Sequence, residues 1–260
     1  APLVCSLHRS ERLFMDSVFE QFPYLYSIGG LSDESAVYLL RYSFDMMTYD
    51  NMIGRNTNFR FKDLSSVWQT HEPDKYFLRL NAPDRDGVHE KIAKENPRFV
   101  FMLHNSLMHA DILFKAFPSL KMLQMVRHPA DLAHSWYLKG YGGDFYENPR
   151  HANLTIKWKE NILPYYVVGW EKEYLSFSEM DRVIHLITRL IKRENGGFQS
   201  LSSRHKKQVL IIPFEGLVAD PKQHLGKICN FLDMEETIYT PITIQKERES
   251  SPYLLNKKDR

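Results

Sequence analysis

The sequence predicts an α/β fold: a parallel sheet flanked by helices on both faces, in three layers. Three observations carry this. The runs RFVFML (98–103), KMLQMV (121–126) and QVLIIPF (208–214) have strand length, and each leads through a loop into a helix-like stretch. Between the last two, Met180, Val183, Ile184, Ile187, Leu190 and Ile191 recur with the 3.6-residue helical period. A content of 43% hydrophobic residues in 260 is enough for one sizeable core. No repeat, low-complexity tract or linker divides the chain, so residues 1–260 are expected to form a single domain.

In order, PLVCSL reads as the first strand, followed by a helix with Phe14, Val18 and Phe22 on one face. YLYSI (24–28) reads as a second strand ended by Gly29-Gly30, and residues 33–47 as a helix. Residues 50–83, rich in Asn, Asp and Pro, read as irregular, with a strand at YFLRL. Beyond the strand candidates, residues 152–170 and 174–192 read as long helices. A last helix, 221–232, carries Leu225, Ile228, Cys229 and Leu232 on one side.

Composition narrows the function. A net charge of +2 and a pI near 8.4 give no footprint for nucleic acid, and the short basic clusters at 202–208 and the C-terminus read as solvated surface. Two cysteines in apolar segments, Cys5 and Cys229, read as buried free thiols, and no Cys/His spacing suits a metal. No apolar run reaches the roughly 18 residues of a membrane span. A cytoplasmic location is favoured, with a Golgi lumen as the alternative if an anchor precedes the first strand. Asn153-Leu154-Thr155 is a glycosylation sequon of the kind expected once by chance.

Ligands of parallel sheets sit beyond the carboxyl ends of the strands. The residues there are His8-Arg9-Ser10, His104-Asn105, Arg127-His128-Pro129 and Glu215, a set able to bind anions or move protons. In MVRHPADLAHSWY, Arg127 ends a strand, Pro129 suits the first turn of a helix, and Ser135 lies eight residues on, about two turns further. A guanidinium fork and a hydroxyl make a suitable pair for a phosphate.

That segment, Arg127, Pro129, Asp131, Ser135 and Tyr137, resembles the 3′-phosphate motif of sulfotransferases that use 3′-phosphoadenosine-5′-phosphosulfate (PAPS). The stretch 213–234, with Glu215, Leu217, Asp220 and Pro221, resembles the family's late strand-to-helix segment. RFVFMLHNS resembles the strand that ends in a catalytic histidine, and His104 precedes Arg127 by 23 positions, close to the usual separation. The family's first loop reads Pro-Lys/Arg-Ser-Gly-Thr/Ser-Thr/Ser; here it reads His8-Arg9-Ser10-Glu11-Arg12-Leu13. Arg9 and Ser10 match, Glu11 replaces Gly, and Arg12 and Leu13 replace the hydroxyl residues.

The resemblance implies a P-loop NTPase-like sulfotransferase architecture and transfer of a sulfuryl group from PAPS to a hydroxyl or amine. The acceptor would be a small molecule or glycan, adenosine 3′,5′-bisphosphate the other product, and no metal would take part. Arg9, Ser10, Glu11, Arg12 and Leu13 would hold the 5′ end, the backbone N–H groups of residues 10 to 13 opening a helix. Arg127 and Ser135 would hold the 3′-phosphate, and Arg9 would neutralise charge on the leaving group. His104 is the candidate base. Glu34 is the alternative, since other branches place a catalytic Glu after the second strand, and His8 is a third by position. Met102 stands where the cytosolic branch has Lys. Residues 50–95 and 139–152 would wall the acceptor, GYGGDFYENPRH would be a mobile flap, and the tail KERESSPYLLNKK would close over the 3′-phosphate. Two other readings remain: a degenerate member that binds without transferring sulfate, motivated by Glu11, and a small mononucleotide kinase. Against the kinase, no G-x-x-x-x-G-K-[ST] loop is present.

Overall fold

The protein is seen in a computed structural model that describes residues 1–83, 87–152 and 154–249. The Asn153 sequon and the tail from residue 250 onward lie outside the described residues. In chain order the elements are α1 (Pro2–Cys5), β1 (Ser10–Phe14), α2 (Val18–Ser27), α3 (Asp33–Met52), α4 (Pro73–Arg79), α5 (Val88–Glu95), β2 (Arg98–Phe101), α6 (Ala110–Ala116) and β3 (Met122–Val126). There follow α7 (Pro129–Leu138), α8 (Tyr141–Glu147), β4 (Thr155–Trp158), β5 (Asn161–Pro164), α9 (Glu171–Ser176) and α10 (Glu179–Ser200). The chain ends with α11 (Ser203–Lys206), β6 (Val209–Pro213), α12 (Phe214–Ala219), α13 (Pro221–Leu232) and α14 (Thr240–Glu249). They group into two compact units, each made of separated stretches.

Among the described residues, one unit gathers Ala1–Asp16, Tyr42–Met102 and the stretch from Gly216 to Glu249. Its β1 and β2 run parallel, Leu13 beside Val100 and Phe14 beside Phe101, with a bulge between Ser10 and Leu13. Phe14 packs on Phe99 and Phe101, and Met52, Ile53 and Val88 form a small core. At the start of α13 the Asp220 carboxylate accepts the Gln223 N–H at 3.0 Å and Pro221 fills the first position. This Asp-Pro pair caps the helix where the sequence expects it.

The other unit gathers Ser17–Arg41 and Leu103–Glu215. Here β3 and β6 pair in parallel from Met122–Val209 to Val126–Pro213. Helix α10 buries Val183, Leu186, Ile187 and Leu190, each contributing roughly 1.5–3 kcal/mol. Leu186 and Leu190 join an aromatic core of Tyr24, Tyr165, Tyr166, Trp170 and Tyr174. Helices α7 and α8 pack on α10.

The fold is α/β with mixed helix and strand content, but the strands pair two by two, in two parallel pairs and the antiparallel β4–β5 hairpin. The single three-layer sheet is not formed by the described strands. Locally, the start is reversed: PLVCSL is not a strand but contributes α1, because Pro2 opens a helical turn. Of the helix expected next, Phe14 lies in strand β1 instead, while Val18 and Phe22 lie in helix α2. YLYSI lies largely within α2, and YFLRL belongs to α4, where Tyr76 and Arg79 share a face three residues apart. Residues 152–170 are not a long helix: TIKW and NILP form the β4–β5 hairpin, turned at Lys159 with φ 53°. Helix 174–192 is displaced to α10, because Ser178 caps it through the Asp181 N–H. The expected flap is largely α8: a Cβ on Gly142 would lie 2.1 Å from the Glu179 carbonyl oxygen, so this segment is pressed against α10.

Candidate active site

The first loop is built for burial. His8 donates its N–H to the Glu235 carbonyl at 2.9 Å. Arg9 turns the chain at φ 64°, a left-handed conformation uncommon for a side chain of this kind, and its carbonyl accepts the Arg98 N–H at 2.8 Å. Ser10, Glu11, Arg12 and Leu13 then run into β1, all buried. The Ser10 hydroxyl donates to the Val4 carbonyl at 2.7 Å. The Arg12 N–H donates to the Tyr76 hydroxyl at 2.6 Å, and its guanidinium to the Ser65 carbonyl at 3.1 Å.

Glu11 is the centre of this network. Both carboxylate oxygens accept from the Arg79 fork, at 2.8 and 3.0 Å, and one also accepts from Tyr76 at 2.8 Å and Asn51 at 2.9 Å. Lys75 Nζ lies 3.2 Å away. Burial alone would raise the Glu11 carboxyl, but the Arg79 bonds, the charges of Lys75 and Arg79 and the Asn51 bond hold it at about 2. The expected cradle of free N–H groups at a helix N-terminus does not form at residues 10–13. The stretch is a strand, Ser10 and Glu11 are paired internally, the Arg12 Nη1 is paired while its Nε is not among the described residues, and Glu11 needs no glycine because it points into the core.

His104 stands differently. It follows β2, and Asn105 at φ 50° turns the chain sharply just after it. One oxygen of Glu20, on α2, accepts from both the His104 backbone N–H at 2.7 Å and ring Nδ1 at 2.8 Å. The Tyr24 hydroxyl donates to the His104 carbonyl at 2.9 Å. The Glu20 side chain is 9% exposed and the His104 side chain 65%, so a buried carboxylate holds an open imidazole. The Glu20 bond pushes the ring above its ordinary value, outweighing burial. Sequence reasoning missed Glu20. Its signal is faint: a carboxylate among Phe19, Pro23 and Tyr24, the apolar face of a helix.

Arg127 follows β3 directly, with its guanidinium over the Phe214 ring at 5.4 Å and its buried Nε without a hydrogen-bond partner among the described residues. The neighbouring His128 N–H donates to Glu215 at 2.9 Å, and the His128 ring caps α7 at the Ala130 N–H. Ser135 is half-buried on α7. Glu34 lies in the first turn of α3, exposed, in a shallow groove with Leu31, Ser35, Tyr38 and Leu39. It does not line the His104 cleft, whose walls include Phe19, Tyr24, Ser106 and His109. Of the expected site residues, His104, Arg127, Ser135 and Glu34 belong to one unit and Arg9 to Leu13 to the other.

A family model described as the sulfotransferase domain matches residues 7–253. The chain belongs to the sulfotransferase domain family. A solved structure described as a sulfotransferase domain from the curacin biosynthetic pathway aligns with a TM-score of 0.38 and 15% identity, over 67% of this chain and 54% of that one. That likeness carries no weight here, and family membership rests on the sequence match. A search of curated proteins gave no match.

The residues of this sulfotransferase domain fit PAPS unevenly. The Arg127 guanidinium rests over the Phe214 ring with its Nε buried and unpaired among the described residues, as the Nε atoms of Arg12 and Arg79 also are. At residues 10–12 the Ser10 hydroxyl, the Glu11 carboxylate and the Arg12 Nη1 are already bound within the protein.

Proposed function

We propose that this sulfotransferase domain moves a sulfuryl group from PAPS to a hydroxyl or amine of a small molecule or glycan, with His104 as general base. The observation that carries this reading is the Glu20–His104 pair: Nδ1 is engaged by a buried carboxylate, and the ring is otherwise open. A carboxylate accepts only, so the neutral imidazole carries its proton on Nδ1 and its lone pair on Nε2. Nε2 takes the proton that the acceptor gives up. Positioned bases of this kind contribute typically about 10²–10⁴-fold. Bound PAPS supplies the activated sulfuryl group. Arg127 and Ser135 would hold its 3′-phosphate. Glu34 is the weaker base, since it lies outside the His104 cleft on an exposed helical turn.

The buried Glu11 network favours a second reading, a family member that binds nucleotide without turnover. Incubation with labelled PAPS and a broad acceptor panel separates the two. Transfer that is lost in His104→Ala supports the base; binding of adenosine 3′,5′-bisphosphate with no transfer to any acceptor supports the second reading.

A further inference from the structure

We infer that Glu20 is the positioning residue of His104, fixing its ring orientation and its tautomer through a single oxygen that grips the residue at two points. The inference deepens the reading of His104 as base and rests on it for its catalytic meaning. The geometry stands on its own: bonds of 2.7 Å to the backbone N–H and 2.8 Å to Nδ1 leave the ring little freedom about its side-chain bonds. Charge-assisted bonds at such lengths are the strong class.

The groups facing His104 are few. From α2 come Glu20 and Tyr24, and Tyr24 is occupied with the His104 carbonyl. From the turn after His104 comes His109, which burial and the charge of Arg193 push down to about 3, so it stays neutral. Among the described residues lining the cleft, Glu20 is therefore the one that carries charge at neutral pH. It acts in two ways. It selects the Nδ1–H tautomer, leaving Nε2 as the basic atom, and it stabilises the imidazolium once the acceptor's proton has moved to Nε2. The proton then passes to water, and Glu20 remains ionised throughout.

Glu20→Gln and Glu20→Ala separate the charge from the contact. Gln keeps an oxygen able to accept both bonds, while Ala removes them. The ring is followed by ¹⁵N NMR of His104 across pH, and kcat/KM is followed over the same range. In the wild type the ring is expected as the Nδ1–H tautomer, titrating above its ordinary value. In Glu20→Gln the titration falls, and the acid limb of kcat/KM moves to lower pH with it. In Glu20→Ala the plateau of kcat/KM also falls, by up to about 10⁴-fold, the scale of loss when a base histidine's carboxylate partner is altered and its tautomer is no longer held. Should Glu20→Gln fold poorly, Glu20→Asp, which keeps the charge one methylene further back, is expected to titrate between the two. A wild-type ring with Nε2–H, or the same ring titration in the wild type and every Glu20 variant, overturns the inference. If the ring responds as expected but His104→Ala retains transfer, the positioning stands and the assignment of His104 as base fails.

Discussion

Ser10–Leu13 and the Arg127 turn both stand at sulfotransferase motif positions, the first matching the motif at Ser10 alone, and they differ in how their polar groups are engaged. In the first, the Ser10 hydroxyl, the Glu11 carboxylate and the Arg12 Nη1 are bonded inside the protein, although the Arg12 Nε is buried without a partner among the described residues. In the second, the Arg127 Nε has no partner among the described residues, while the guanidinium lies over Phe214. A group already paired in the core must break that pair before it can bind a ligand, at the cost of stranding a buried charge. A matching motif thus identifies the family, and the availability of its polar atoms decides which residues can still serve. His104 belongs with Arg127 in this respect: its anchor, Glu20, is buried, but its ring is open.

The largest effect is expected at His104. His104→Ala should lower transfer by about 10²–10⁴-fold and change the thermal midpoint little above the ordinary histidine range, because the ring is exposed and Glu20 keeps the backbone N–H of residue 104. A large loss of stability would move His104 to the structural side of the comparison. Next is Arg79→Ala, which leaves Glu11 buried without its main partner. A loss of about 3–5 kcal/mol in urea denaturation is expected; a neutral result would show that the first loop is free to serve a ligand. Gly142→Ala forces a methyl group against the Glu179 backbone and should cost about 1–3 kcal/mol, read as a lowered thermal midpoint.

A further effect is in pH. Glu11 is held at about 2 against an ordinary 4.5, so its contribution is present above 4.5 and is lost as pH falls toward 2. His104 has the opposite sign. Its raised value stabilises the fold below the ordinary histidine range, and that stability is lost as pH rises through the folded value. Urea midpoints of the wild type and Glu11→Gln between pH 5 and 2 check the first, with a smaller acid loss expected in the variant.

Much of this was legible in the sequence. β2, β3 and β6 lie within the three apolar runs, and α13 follows its Asp-Pro cap and its helical period. The start of the chain was not legible. SERLF contains two charges, and only partners some 64 to 68 residues later, Tyr76 and Arg79, make it a buried strand. The hairpin at 155–164 turns at Lys159 in a left-handed conformation, with no glycine to announce it. At the site, Arg127 and His104 were visible by type and position, but Glu20 was not, because its partner lies 84 residues away.

The most direct test of the contrast is calorimetric titration of adenosine 3′,5′-bisphosphate into the wild type and Arg127→Ala. Loss of a charge-assisted contact of about 1.5–3 kcal/mol predicts roughly 10–150-fold weaker binding in the variant. Equal affinity in the two proteins would contradict the account.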